Sequence, residues 1–165
     1  ILDNKDRNQV FIYYKRRSRD ELNVLENFLR EIKLPYKLFN YVNKYEESDY
    51  LDTLLHAKFG IVLDAHESQG FAIQEALSCD VPLLVWNATS MKQEDGGNFH
   101  DVPATSIPYW NDECGEVFYK WNEFKGKFNA ILSGIKQKKY NPRKYIIENL
   151  SVKPCAERFS KLFLN

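Results

Sequence analysis

Glu67 and Glu75 stand eight positions apart in Glu67-Ser-Gln-Gly-Phe-Ala-Ile-Gln-Glu75, with Gly70 between them. Just upstream, Phe59-Gly-Ile-Val-Leu-Asp64 is a short apolar run closed by a charge, the pattern of a buried parallel strand. Gly70 is expected to open a helix on which Ala72, Ile73, Ala76 and Leu77 form an apolar stripe. Phe71, Glu75 and Ser78 then share the neighbouring face. The mouth of such a helix presents free backbone N–H groups at the positive end of its dipole, and a glycine lets an anion come close to the backbone. A nucleotide diphosphate fits between the two glutamates. Taken singly, each glutamate has an ordinary structural reading, Glu67 as a solvated loop residue and Glu75 as a helix-surface residue.

Strand-like and helix-like segments alternate through the first half of the chain, which predicts a single α/β domain over residues 1–165, a Rossmann-like parallel sheet flanked by helices. Val10–Tyr14 reads as the first strand. Ser18-Arg-Asp-Glu21 has the form of a capping box for a helix carrying Leu22, Leu25, Phe28, Leu29 and Ile32 at helical spacing. Tyr36–Asn40 is the expected second strand and Ser48–Lys58 the next helix, with Tyr50, Leu51, Leu54 and Leu55 turned inward. Strands at Gly60–Asp64 and Val81–Trp86 bracket the motif helix. Asn87–His100, with Gly96-Gly97 and many polar residues, reads as a mobile surface loop. Ala104–Pro108 is expected as an edge strand and Phe118–Ile135 as a helix. Asn141-Pro142 then starts the first of two closing helices, since proline lacks a donor that the first turn leaves unpaired anyway. Phe11, Tyr13, Phe28, Phe39 and Phe59 are assigned to the core.

Ligands of doubly wound sheets bind outside the carboxyl ends of the strands, and that rule selects two more segments. Lys15-Arg16-Arg17 follows the first strand directly, where a diphosphate needs cationic partners. A solvated basic cluster ahead of the helix is its structural reading. Asn40-Tyr-Val42 ends the second strand, and Tyr41 can stack on a base or simply pack. Thr105-Ser106 and Cys114-Gly115 are further candidates for the cleft. His66 adjoins Glu67 but is expected to point elsewhere, in a supporting or surface role.

The run from Glu67 through Gly70 and Glu75-Ala to Val81-Pro-Leu-Leu-Val85 resembles the E-x7-E signature of retaining glycosyltransferases with the GT-B fold. The resemblance covers most of the chain and corresponds to the carboxyl-terminal, donor-binding half of such an enzyme. It implies a nucleotide-diphosphate sugar as donor substrate, no cofactor, and transfer that retains the anomeric configuration without a metal. Glu67 would be the catalytic carboxylate facing the transferred sugar; Gln69, Gly70, Phe71 and Ala72 would contact sugar and phosphates, and Glu75 the ribose hydroxyls. Lys15 and Arg17 match the family's phosphate-binding cations, and Tyr41 its nucleobase contact. The chain departs from the family where glycine and arginine usually follow the first strand, having Tyr13-Tyr14 and a compact basic triplet. An amino-terminal acceptor-binding domain is the partner the resemblance calls for, so the chain is expected to bind donor but to transfer poorly alone. An exposed apolar patch is expected on the closing helices.

Composition narrows the alternatives. A formal net charge of +0 argues against broad attraction to nucleic acid or anionic membrane. No apolar run approaches the roughly 18 residues of a membrane span, and Ile1–Arg7 has no signal-peptide pattern, so a cytoplasmic location is expected. Cys79, Cys114 and Cys155 form no C-x-x-C pair and suit reduced thiols. H-E-x-x-H, Walker and G-x-G-x-x-G motifs are missing from the sequence. The reading from a different class is a noncatalytic nucleotide-binding or protein-interaction module of the same fold.

Overall fold

A computed structural model describes residues 7–163; Ile1–Asp6 and the last two residues lie outside it. The chain runs β1 (Gln9–Lys15), α1 (Arg19–Glu31), β2 (Lys37–Asn40), α2 (Glu47–His56), β3 (Ala57–Asp64), α3 (Phe71–Ser78) and β4 (Leu83–Trp86). It continues through a 3₁₀ turn at Met91–Gln93 to β5 (Gly115–Phe118), α4 (Trp121–Lys136), α5 (Pro142–Asn149) and α6 (Val152–Lys161). The five strands form one parallel sheet in the order β2-β1-β3-β4-β5, the Rossmann-like architecture expected.

Alternation along each strand sends side chains to two separate layers. Phe11, Tyr13, Phe39 and Val62 meet Tyr50 and Leu54 of α2, Ile73, Ala76 and Leu77 of α3, and Tyr145 of α5. Val10, Ile12, Tyr14, Ile61 and Leu63 meet Leu22, Leu25 and Leu29 of α1 and Phe124, Phe128 and Ile131 of α4. Gly60 is a matter of space: a Cβ there would lie 2.2 Å from the Phe11 ring, so glycine lets that ring cross β3. Among the described residues no helix is long and apolar enough to cross a membrane.

Four local expectations need correction. Ser18 caps α1 by accepting from the Asp20 N–H at 3.2 Å, but Glu21 turns to Arg17 instead of completing a capping box. In α2 the buried residues are Tyr50, Thr53 and Leu54, whereas Leu51 and Leu55 are exposed. That helix is oriented by Tyr50, whose ring packs 4.9 Å from Phe39 and 5.7 Å from Phe11, an edge-on aromatic cluster that the leucine count does not reveal. Ala104–Pro108 forms no strand, contributing only an isolated bridge from the neighbouring Pro103 to Ser90. The fifth strand is Gly115–Phe118, and the following helix therefore begins at Trp121.

Candidate functional site

Two of the crossovers leave the sheet in opposite directions, β1 to β2 one way and β3 to β4 the other, so the switch point lies between β1 and β3. The two strands end together there, with Lys15 in register with Asp64. Past β3, the Glu67 N–H donates to the Thr105 carbonyl at 2.9 Å, which fixes the motif backbone to the chain beyond β4. Gly70 then takes φ 68° as the residue before α3. A Cβ there would have room, at 3.6 Å or more from its neighbours, so the left-handed backbone is what requires glycine. No side chain caps α3, and its first intrahelical bond runs from Gln74 N to the Gly70 carbonyl at 2.9 Å. The helix mouth is thus left with the free N–H groups that suit an anion.

Lys15 forms an ion pair with Glu67, joining the ends of β1 and β3. Its ammonium also lies over the Tyr41 ring, 4.8 Å from the centroid. Tyr41, 46% exposed, helps line a cavity of about 570 Å³ with Arg16, Val42, Lys44, Tyr45 and Glu47. Glu75 is exposed on α3 and does not line this cavity; partial burial, then the charge of Glu47, push its carboxyl above the ordinary range, and its charge is felt in turn by Tyr45. Gln69 and Phe71 are exposed at the helix mouth, Gly70 is buried, and Ala72 is half-buried with its carbonyl accepting from the Tyr50 hydroxyl at 2.9 Å. Lys15, Tyr41, Glu67 and Gly70 therefore gather at one edge, with Glu75 near enough to Tyr45 and Glu47 for their charges to interact.

Arg17 does not join them. Its side chain is fully buried on the other face of the sheet, bonded to Glu21 at 2.5 and 2.8 Å and to the carbonyls of Asp64 and Trp86 at 3.3 and 3.2 Å. Its guanidinium also lies 5.6 Å from the Trp86 ring. A cation so enclosed ties β3 and β4 to the start of α1 and has no reach to a phosphate. Cys114 is likewise buried in the core and Gly115 is taken into β5, which removes both from the cleft. Thr105 and Ser106 hold the site from behind: Thr105 and the Ser106 N–H donate to Asn87 Oδ1 at 3.0 and 2.8 Å, and the Ser106 hydroxyl donates to the Asp64 carbonyl at 2.7 Å. Asn87 is itself buried.

The Asn87–His100 segment is more ordered in its bonding than its composition suggests. Ser90 and Gln93 form a reciprocal cap around the 3₁₀ turn, and Asp95 N donates to the Arg16 carbonyl at 2.8 Å. Buried Glu94 lies 3.0 Å from Arg16, and its carboxylate comes within 2.7 Å of His66 Nε2, although that nitrogen makes no hydrogen bond among the described residues.

Asp64 is the site residue that sequence reasoning missed. It is fully buried, and neither carboxylate oxygen has a hydrogen-bond partner among the described residues. Burial, then the nearby charge of Glu67, raise its carboxyl well above the ordinary range, against the pull of Lys15. The signal was present as the acidic residue closing an apolar run of strand length. One ammonium thus serves two neighbouring carboxyl groups at the switch point.

Compared with protein-family models, curated proteins and solved structures, the chain finds no match in any of the three.

Proposed function

We propose that this chain is the donor-binding half of a retaining GT-B glycosyltransferase, holding a nucleotide-diphosphate sugar for transfer to an acceptor bound by an amino-terminal domain. One observation carries the reading: Lys15, Glu67 and the uncapped mouth of α3 converge at the switch point of the sheet. The diphosphate occupies the helix mouth, where the free N–H groups of Phe71 and Ala72 and the Lys15 ammonium stabilise the charge that grows as the nucleotide departs. Gln69 and Gly70 border the transferred sugar. Glu67 faces its anomeric carbon, where positive charge develops as the bond to phosphate breaks and the electron pair leaves with the diphosphate. Glu75 holds the ribose hydroxyls and Tyr41 stacks on the base in the cavity shared with Tyr45 and Glu47. Lys15 and the helix dipole serve in place of a metal. Arg17 has no part in ligand binding.

Calorimetric titration with uridine, guanosine and adenosine diphosphates and their sugars tests this reading. Saturable binding is expected for one base, and Glu75→Ala should weaken it about ten- to a hundredfold, since a hydrogen bond to a charged group contributes about 1.5–3 kcal/mol. Equal affinity in the variant would remove the ribose assignment, and efficient transfer by the chain alone would overturn the half-enzyme reading.

A protein-interaction module is the second reading, favoured by α6. That helix buries none of its residues, and Val152, Phe159 and Leu162 at its apolar face are exposed. This is the apolar patch expected of the closing helices. An interaction module makes no joint use of Lys15, Glu67 and Glu75, so it predicts no diphosphate binding sensitive to all three.

A further inference from the structure

A second cavity, of about 440 Å³, is walled by α3, the segment after Ser106, and the elbow where α5 passes into α6. Its polar lining is Gln69, Gln74, Tyr109, Tyr145, Asn149 and Arg158, with Leu150 as the apolar part of the wall. No residue of this set lines the cavity around Tyr41, and only Gln69 and Gln74 belong to the motif. The size is that of a small-molecule site.

Tyr145 is the most enclosed member of the lining: the residue is 8% exposed, and its hydroxyl is left free of protein partners among the described residues and open to the cavity. Burial, then the Cys114 thiol, push this hydroxyl up, so it stays a neutral donor and acceptor, and it lies close enough to Arg158 and Tyr109 to feel both. The Tyr109 hydroxyl, the Gln69 amide and Asn149 Oδ1 are also without partners among the described residues, the Asn149 amide donating instead to the Tyr145 carbonyl at 2.9 Å. Closely spaced groups that can both donate and accept match the vicinal hydroxyls of a sugar ring, and tyrosine faces with a leucine match its C–H surface. Arg158 is the one charged side chain in the lining, with no carboxylate opposing it. It contacts the Asn149 carbonyl and lies 3.4 Å from Cys155 Sγ, which places the exposed guanidinium at the cavity wall. A guanidinium fork is suited to a carboxylate.

We propose that this cavity binds a carboxylated sugar ring, with Arg158 on the carboxylate and Tyr145, Asn149 and Gln69 on the ring hydroxyls. Gln69 is shared with the donor reading, but diphosphate binding and sugar-acid binding are measured separately and either can fail alone. Cys155 supplies the assay: its thiol is exposed and lines the cavity, whereas Cys114 is buried and reports unfolding. Alkylation of Cys155 in the full chain, followed by mass spectrometry, is measured against increasing D-glucuronate, with D-glucose as the neutral counterpart. Glucuronate should slow the reaction saturably at concentrations at least tenfold below those glucose requires. Arg158→Gln, an exposed position on α6, should weaken that protection about tenfold or more and abolish the preference over glucose. Tyr145→Phe, which keeps the ring and removes the hydroxyl, should weaken protection severalfold with no new labelling at Cys114. An alkylation rate unchanged by glucuronate would overturn the proposal. So would equal protection by glucose, or undiminished protection in Arg158→Gln.

Discussion

Asp64→Asn should make the protein more stable at pH 8 and leave it unchanged near pH 4. The substitution preserves shape, and the bonds from Arg17 and Ser106 end on the Asp64 main-chain carbonyl, so both survive. Only the titrating group is removed. Because the folded carboxyl sits well above its ordinary range, chiefly through burial, its stabilising balance is fully present below the unfolded value of about 3.9 and is lost as pH rises through the folded value. A buried polar group without a partner costs about 1–3 kcal/mol. The asparagine amide keeps polar atoms in the same place and Lys15 offsets part of the charge, so the gain at pH 8 should be about 1–2 kcal/mol. For a chain of this size that is a rise in Tm of roughly 2–8 °C. Thermal denaturation of both proteins at pH 4, 6 and 8 gives the comparison. A variant less stable than wild type at pH 8, with a deficit that closes on acidification, would refute the reasoning and identify Asp64 as an ionised partner of Lys15.

Arg17→Met should cost about 3–5 kcal/mol, because it strands Glu21 and two strand-end carbonyls, and urea unfolding measures it. A loss below about 1 kcal/mol would place the guanidinium among ordinary surface pairs. Burial pushes the Glu116 carboxyl up, but bonds from Lys139, Lys127 and Tyr140 outweigh it and bring the group to about 2. A folded value lowered from 4.5 stabilises above the ordinary range and ceases to as pH falls toward 2, so wild type should lose stability over that interval and Glu116→Gln should not. The displacement alone would be worth ~3.4 kcal/mol. With the two lysines 42% and 49% exposed, about 1–2 kcal/mol is expected at pH 7, and a variant as stable as wild type there would contradict it. Gly70→Ala forces an L side chain into φ 68°, costing about 1–2 kcal/mol in thermal unfolding; an unchanged Tm would mean that the turn relaxes.

Periodicity located β1 to β4, α1 and the motif helix because each buries a continuous or regularly spaced apolar set. The same logic fails for β5, where Gly115-Glu-Val-Phe118 offers only two apolar residues in four and Glu116 is carried by lysines from α4 and beyond it. It also fails for Arg17. A basic triplet before a helix looks solvated, and nothing in local spacing states that the third member turns through the sheet to collect carbonyls from β3 and β4. Lys15 and Glu67 were legible as neighbours because a strand end and a turn after the adjacent strand must meet in a parallel sheet. Their direct pairing was not, since it depends on side-chain reach. Asp64 escaped notice for the opposite reason: an acid ending a strand ordinarily faces water, and its enclosure depends on Ser106, Thr105 and Asn87 closing behind it.

If the site binds an anion as proposed, the ion pair between Lys15 and Glu67 makes that binding an exchange of counter-charge. An anion that draws the ammonium away leaves Glu67 and buried Asp64 facing each other without compensation, and a proton taken from solvent is the cheapest way to restore the balance. Ligand and proton are then thermodynamically coupled: affinity falls as the solution becomes more alkaline, and the heat of binding varies with the ionisation enthalpy of the buffer.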